Sequence, residues 1–193
     1  TIQKGAQIYA QLRKEVTEAG ILDRSYNFYA ITSIFAYIGF FISVWFFYTQ
    51  NNIFLLTLIS FILTFFTVQI GGLLHDGVHR AIFKSAKIND FFGYISGFFT
   101  GVVYDSWKEN HNLHHAHPNQ EDEDPDIEIP FLALNKERYE EKNFIEKLAT
   151  PYQAYLYYPL GILVGYTIRI GGLSYFQGKF KAGFIWKIAL FST

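Results

Sequence analysis

Two uncharged apolar runs, 28–48 and 53–74, constrain what this 193-residue chain can fold into more than any other feature. They are 21 and 22 residues long, and only Thr49, Gln50, Asn51 and Asn52 separate them. About 20 apolar residues cross the hydrocarbon layer as a helix, so each run is long enough to span a bilayer. Four residues leave room only for a tight antiparallel return. The expected beginning is a membrane helical hairpin. A composition that is half hydrophobic, one-fifth aromatic and only 17% charged belongs with that class.

Charge sets the expected orientation. Lys4, Arg13, Lys14 and Arg24 precede the first run, whereas the connecting tetrapeptide carries no cation. Because Lys and Arg are retained on the cytoplasmic side, the N-terminus and the return at His75 should both face the cytoplasm. Eight further Lys or Arg between His75 and Gln153 agree. Residues 1–27 form the cytoplasmic N-terminal segment, with no cleavable signal pattern. Tyr9, Leu12, Val16 and Ala19 recur in it at helical spacing, which predicts an amphipathic helix stopped near Gly20. Such a helix either lies on the membrane surface or packs as an ordinary surface helix. A formal net charge of −1, with no basic stripe, gives no reason to expect nucleic acid. The absence of cysteine excludes disulfides, thiolate metal sites and a cysteine nucleophile, so any metal must be held by nitrogen or oxygen.

Beyond the hairpin, the apolar stretch 91–103 is only 13 residues long and has Gly93, Gly97 and Gly101 at intervals of four. An interfacial or re-entrant segment is expected there, one that keeps the residues before and after it on the same side. Glu121 to Glu128 carries six acidic residues around Pro125 and reads as a solvated loop. Residues 136–147 read as one charged surface helix. Residues 154–176 are expected to form a third span, interrupted by Arg169 and kinked at Pro159. A fourth apolar run starts at Phe184 and is unfinished at Thr193, so C-terminal truncation is expected. The fold class expected is an all-α integral membrane protein. It has two helical hairpins, the fourth helix incomplete, and a cytoplasmic helical cap.

All six histidines lie between His75 and His117. Five form two clusters, His75-x-x-x-His79 and His111-x-x-His114-His115. On a helix, residues three and four apart are neighbours, so each cluster can turn its imidazoles towards one point. A zinc peptidase helix would need HExxH, but Asp76 stands where the Glu would be. Soluble di-iron bundles use ExxH, which does not occur here. Metal transporters place ligands within their spans, near the bilayer midplane, and these histidines follow one. Imidazole suits iron, copper and zinc alike. A histidine site at the cytoplasmic mouth of apolar helices suits chemistry on a lipid tail.

The pattern HDGVH from His75, then Phe83-Lys84, Asn89, the glycine-spaced stretch, Trp107, KENHNLHH, AHPN, DPDI and finally YQAYLYYP at 152–159 resembles the membrane fatty acid desaturases. Within them it resembles the front-end acyl-CoA or acyl-lipid type most. The resemblance implies that residues 28–193 are the N-terminal part of a membrane desaturase domain. It also implies two non-haem iron ions, with O₂ as co-substrate, removing two hydrogens from a fatty acyl chain.

Carried over residue by residue, the iron ligands are His75, His79, His111, His114 and His115, and His117 falls outside the boxes. Asp76, Asn112, Asp124 and Asp126 are candidates to hold the ligands' second ring nitrogens. Trp107 would line the site or anchor at the interface. The family's third histidine box lies beyond a fourth span, so this chain alone is expected to be inactive. Electrons must come from a separate ferredoxin or cytochrome b5 type donor. Arg80, Lys84 and Lys87 are candidates to dock that donor or the CoA of an acyl-CoA; the substrate is otherwise a membrane lipid. A related di-iron membrane hydroxylase and a non-catalytic membrane metal-binding protein are the alternatives.

Overall fold

The computed structural model describes residues 2–127 and 132–180, and every regular element among them is a helix. The chain divides into two compact units, Thr1–Phe92 and Gly93–Thr193.

The first unit opens with α1, Ile2–Glu18. Gly20 stops it: with φ at +68°, a conformation glycine adopts without strain, its N–H reaches Thr17 O at 3.0 Å and the Ile21 N–H reaches Val16 O at 3.2 Å. This paired closure of the last carbonyls ends the helix where the sequence predicts it. The two apolar runs become α2, Tyr26–Thr49, and α3, Ile53–Val78, which pack along each other as an antiparallel pair. Asn52 starts α3 by accepting the orphan N–H groups of Phe54 and Leu55 at 3.0 and 3.2 Å. Midway along, Gly39 makes room for Phe66, because a Cβ there would stand 2.2 Å from the Phe66 ring.

Among the described residues, α2 and α3 are the helices long and apolar enough to cross a membrane. Trp45, Phe54 and Phe61 are among the many large apolar side chains exposed on them. A bilayer solvates such a surface and water does not. This is a membrane protein.

Helix α3 runs four residues past the apolar limit at Leu74, so His75 lies within its last turn and His79 caps it. The histidines therefore do not follow the helix; they finish it. Arg80 then turns the chain in a left-handed conformation, φ 58°. The next loop is organised by Asn89, wholly buried, whose side chain donates to Phe83 O and Ser85 O at 2.7 Å each and accepts from the Phe83 N–H at 3.1 Å. Asn89 sits in α4, Ala86–Thr100, which crosses from the first unit into the second. The short apolar stretch expected at 91–103 is thus the later part of a longer amphipathic helix. Its last three residues fall outside, because Gly101 breaks the helix at φ +69°.

In the second unit the second histidine cluster lies on α5, Tyr104–Ala116. Buried Tyr104 packs on Gly93, where a Cβ would stand 2.2 Å from the ring, and Tyr94 donates to Asp105 at 2.8 Å. The single helix expected over 136–147 is two short ones, α6, Lys136–Glu141, and α7, Phe144–Ala149. Asn143 divides them, since its side chain caps α7 and Glu146 reaches back to the Asn143 N–H at 3.0 Å. After a 3-10 turn at Thr150–Tyr152 comes α8, Gln153–Phe180, with Pro159 inside it. Arg169, the charge that interrupts the expected third span, donates to Gly165 O at 2.7 Å and to Thr100 O at 2.8 Å. It answers a carbonyl at the end of α4 with a cation, as helix C-termini favour. The apolar run from Phe184 lies outside the described residues.

Candidate metal centre

In the first unit, His75 and His79 sit one helical turn apart with ring centroids 4.5 Å apart. The neighbouring carboxylate sets the orientation of His75. Asp76 Oδ1 is 3.1 Å from His75 Nδ1, and Asp76 Oδ2 accepts from the Tyr29 hydroxyl of α2 at 3.1 Å. A carboxylate only accepts, so Nδ1 carries the proton and the lone pair of a neutral His75 ring lies on Nε2. Arg24, between α1 and α2, adds a second tie, donating to Arg80 O at 3.0 Å. The end of α3 and the turn after it are thus held at two points, by Tyr29 of α2 and by Arg24 of the linker before it.

In the second unit, His111, His114 and His115 occupy one face of α5. His111 stacks on Trp107 at 4.4 Å and 14°, so Trp107 braces a ring of the cluster. The Nε2 atoms of His111 and His115 converge to 3.1 Å. His114 turns Nδ1 to Asp124, 3.0 Å from each carboxylate oxygen, and to Asp126 at 3.5 Å. Asp124 is wholly buried and also accepts the Asn119 N–H at 2.7 Å and the Asp126 N–H at 2.9 Å. Ring nitrogen and carboxylate oxygens of His114, Asp124 and Asp126 lie within 4.8 Å of one another. The N–H donors engage both oxygens of Asp124, which fixes the carboxylate that His114 faces.

Electrostatics follows that geometry. The hydrogen bond to Asp124 raises the His114 pKa above the usual imidazole value, against a smaller opposing effect of burial. Burial pushes Asp124 up, but the N–H groups of Asn119 and Asp126 together with His114 outweigh it and hold the carboxyl below its ordinary value.

The remaining predicted residues divide. His117 caps α5 and pairs with Glu123 at 2.8 Å. Asn112 is exposed on α5 and hydrogen-bonds none of the histidines. Arg80 is tied to its own loop, 2.6 Å from Asp90 and 2.8 Å from Ala86 O. Lys84 and Lys87 are exposed and enter no ion pair among the described residues. The acidic loop is anchored to α6, Glu121 by Asn135 and Asp122 by Arg138 at 3.1 Å. Sequence reasoning did not find Tyr29 or Arg24. Each acts on residues about fifty positions away through a single hydrogen bond, which leaves no local pattern.

The family model described as fatty acid desaturase matches residues 52–192. The chain belongs to the fatty acid desaturase family. Both histidine clusters lie inside the matched stretch. Among similar curated proteins are the Delta 8-(E)-sphingolipid desaturase of Emericella nidulans, 29% identical over 79% of this chain and 30% of the relative, and the Delta(5) fatty acid desaturase of Caenorhabditis elegans, 34% identical over 68% of this chain and 30% of the relative. The acyl-lipid (9-3)-desaturase of Borago officinalis is 25% identical over 83% of this chain and 39% of the relative. The chain thus spans between 30% and 39% of the length of these desaturases. No solved structure matches the chain.

Proposed function

We propose that this chain supplies the first two histidine boxes of a membrane desaturase that introduces a double bond into a fatty acyl chain. His75, His79, His111, His114 and His115 are the ligands we assign. The observation that carries this reading is the treatment of His75 and His114. In each, a carboxylate engages Nδ1 and leaves the lone pair of the neutral ring on Nε2. Metal-binding histidines are prepared in this way, since the outer hydrogen bond fixes both tautomer and ring direction. The donor set alone suits iron, copper or zinc, and family membership favours iron.

When bound, two non-haem iron ions with O₂ supply the oxidising power that removes two hydrogens from an unactivated acyl chain. The protein's own residues have other tasks. Asp76 and Asp124 hold His75 and His114 in a single orientation, and Trp107 backs His111. Tyr29 holds Asp76 in turn. Fixing these rings beforehand removes a reorganisation cost from metal binding.

The finer topology belongs to the same reading. The N-terminus and both boxes face the cytoplasm. Residues 28–193 belong to one membrane domain, with α8 as a third span. The acyl substrate is a membrane lipid or an acyl-CoA, and a separate ferredoxin or cytochrome b5 type protein delivers the electrons. The sphingolipid, fatty acid and acyl-lipid desaturases among the relatives support the reaction class and leave the acyl carrier open.

The test has two readouts. Iron content of the purified chain should fall when His75, His111 or His114 is replaced by Ala, while the helical circular dichroism signal is kept. Expression of the full reading frame in a host lacking the product should yield a new unsaturated acyl species by mass spectrometry. A hydroxylated product would favour the hydroxylase alternative, and iron without any product would favour a metal-binding protein.

A further inference from the structure

We propose that α1 lies flat on the bilayer that α2 enters, as an in-plane anchor that fixes the depth of the first histidine box. From Lys4 to Glu18 every side chain of α1 is exposed except Val16, so the helix has an apolar face that the protein does not cover. At about 100° per residue, Ile8, Leu12, Val16 and Tyr9 fall in one stripe. Ile8, Tyr9 and Leu12 are 59%, 67% and 56% exposed. Arg13 borders one side of the stripe, Glu15 and then Lys4 the other, and neither cation enters an ion pair among the described residues. Cations at those borders can reach headgroups while their stems cover apolar surface. The polar groups are satisfied among themselves, Gln11 donating to the border carboxylate of Glu15 at 3.0 Å and Lys14 pairing with Glu18 at 3.7 Å farther round the helix. An uncovered apolar stripe with Arg13 and Lys4 near its two edges, and polar groups paired among themselves, are the properties of a helix lying at an interface.

Continuity with the membrane chooses the lipid surface over a protein partner. The Gly20 turn separates α1 from a helix able to cross the bilayer that begins only six residues later, at Tyr26. Ile21 and Leu22, in that turn, are 71% and 59% exposed, which extends the apolar stripe to the point of entry. The same linker carries Arg24, whose bond to Arg80 O joins it to the turn after His79. A surface-bound α1 therefore sets the level of that turn at the headgroups.

The absence of cysteine makes the test clean. Single variants L12C and Y9C on the stripe, Q7C and A10C opposite, and F61C on α3 as a control are spin-labelled in the full chain and reconstituted into phosphatidylcholine–phosphatidylglycerol nanodiscs. Collision with O₂, relative to a water-soluble nickel chelate, should be at least threefold higher for labels at 12 and 9 than at 7 and 10. Equal, chelate-dominated values at all four positions would overturn the proposal, as would stripe labels shielded from both reagents, the mark of a protein partner or a second copy. An O₂-rich label at 61 keeps either failure separate from a failure of membrane insertion.

Discussion

Both carboxylate oxygens of Asp124 lie 3.0 Å from Nδ1 of His114, and the carboxylate is wholly buried. Removing it costs twice. D124A would leave the Asn119 and Asp126 N–H groups without their acceptor, a loss on the order of 1–3 kcal/mol for each. D124N keeps the volume but presents an amide, so that His114 no longer faces a full charge. We expect iron affinity, read by competition with a chromogenic chelator, to fall roughly 10–100-fold in D124N. Unchanged affinity would remove Asp124 from the metal centre.

The same pair predicts a pH profile for the metal-free chain. The pKa of His114 is raised in the folded state, so its contribution is complete below the unfolded value of about 6.5 and is lost as pH rises through the folded value. That of Asp124 is lowered, so its contribution is present above about 3.9 and is lost as pH falls through the folded value. The thermal midpoint of the metal-free protein should therefore decline between about pH 6 and pH 8, and D124N should flatten that decline. Metal uptake should strengthen over the same range, because the proton on Nε2 must leave first.

Within the hairpin, G39V would drive a side chain into the Phe66 ring, since even a Cβ there would stand at 2.2 Å. Overpacking of this kind costs about 1–3 kcal/mol. Lower folded yield in detergent, partly restored by the double variant G39V/F66A, is the expected result by size-exclusion chromatography.

Charge reversal at Lys84 and Lys87 should raise the apparent KM for an anionic donor or acyl-CoA in the full-length enzyme, with the effect fading at high salt. Unchanged kinetics would dismiss the docking role. R80E should differ, because Arg80 is committed to Asp90 and the α4 start, so loss of folded protein is expected before any change in KM.

What could be read in advance follows the range of the forces involved. The spans α2 and α3 are written in runs of uncharged residues, and the end of α1 in Gly20, because burial patterns and backbone conformation are local. The helical neighbours among the histidines follow from spacing for the same reason. The end of α3 was missed because His75 and Asp76 end the apolar run without ending the helix. The division between α6 and α7 did carry a signal, the Asn143 to Glu146 capping pair, which charge-rich surroundings obscured. Tyr29 on Asp76 and Arg169 on Thr100 lie 47 and 69 residues from their partners and depend on how helices pack. A single chain does not announce such pairs. Asp124 was visible as a candidate, but its burial and its four hydrogen-bonding contacts were not.

The α2–α3 pair carries two locks, Gly39 against Phe66 and Tyr29 against Asp76. They are ten residues apart on each helix, 29 to 39 on one and 66 to 76 on the other. At 1.5 Å per residue both intervals measure about 15 Å, so the hairpin works as a ruler with matched scales. One residue inserted between the locks on either helix alone would leave the upper lock closed and turn the lower one by about 100°. His75 would be swung away from its bearing while the span itself stayed intact. The length of these helices can therefore drift at the Gln50–Asn52 end, but between Phe66 and Asp76 the residue count decides where the His75 ring points.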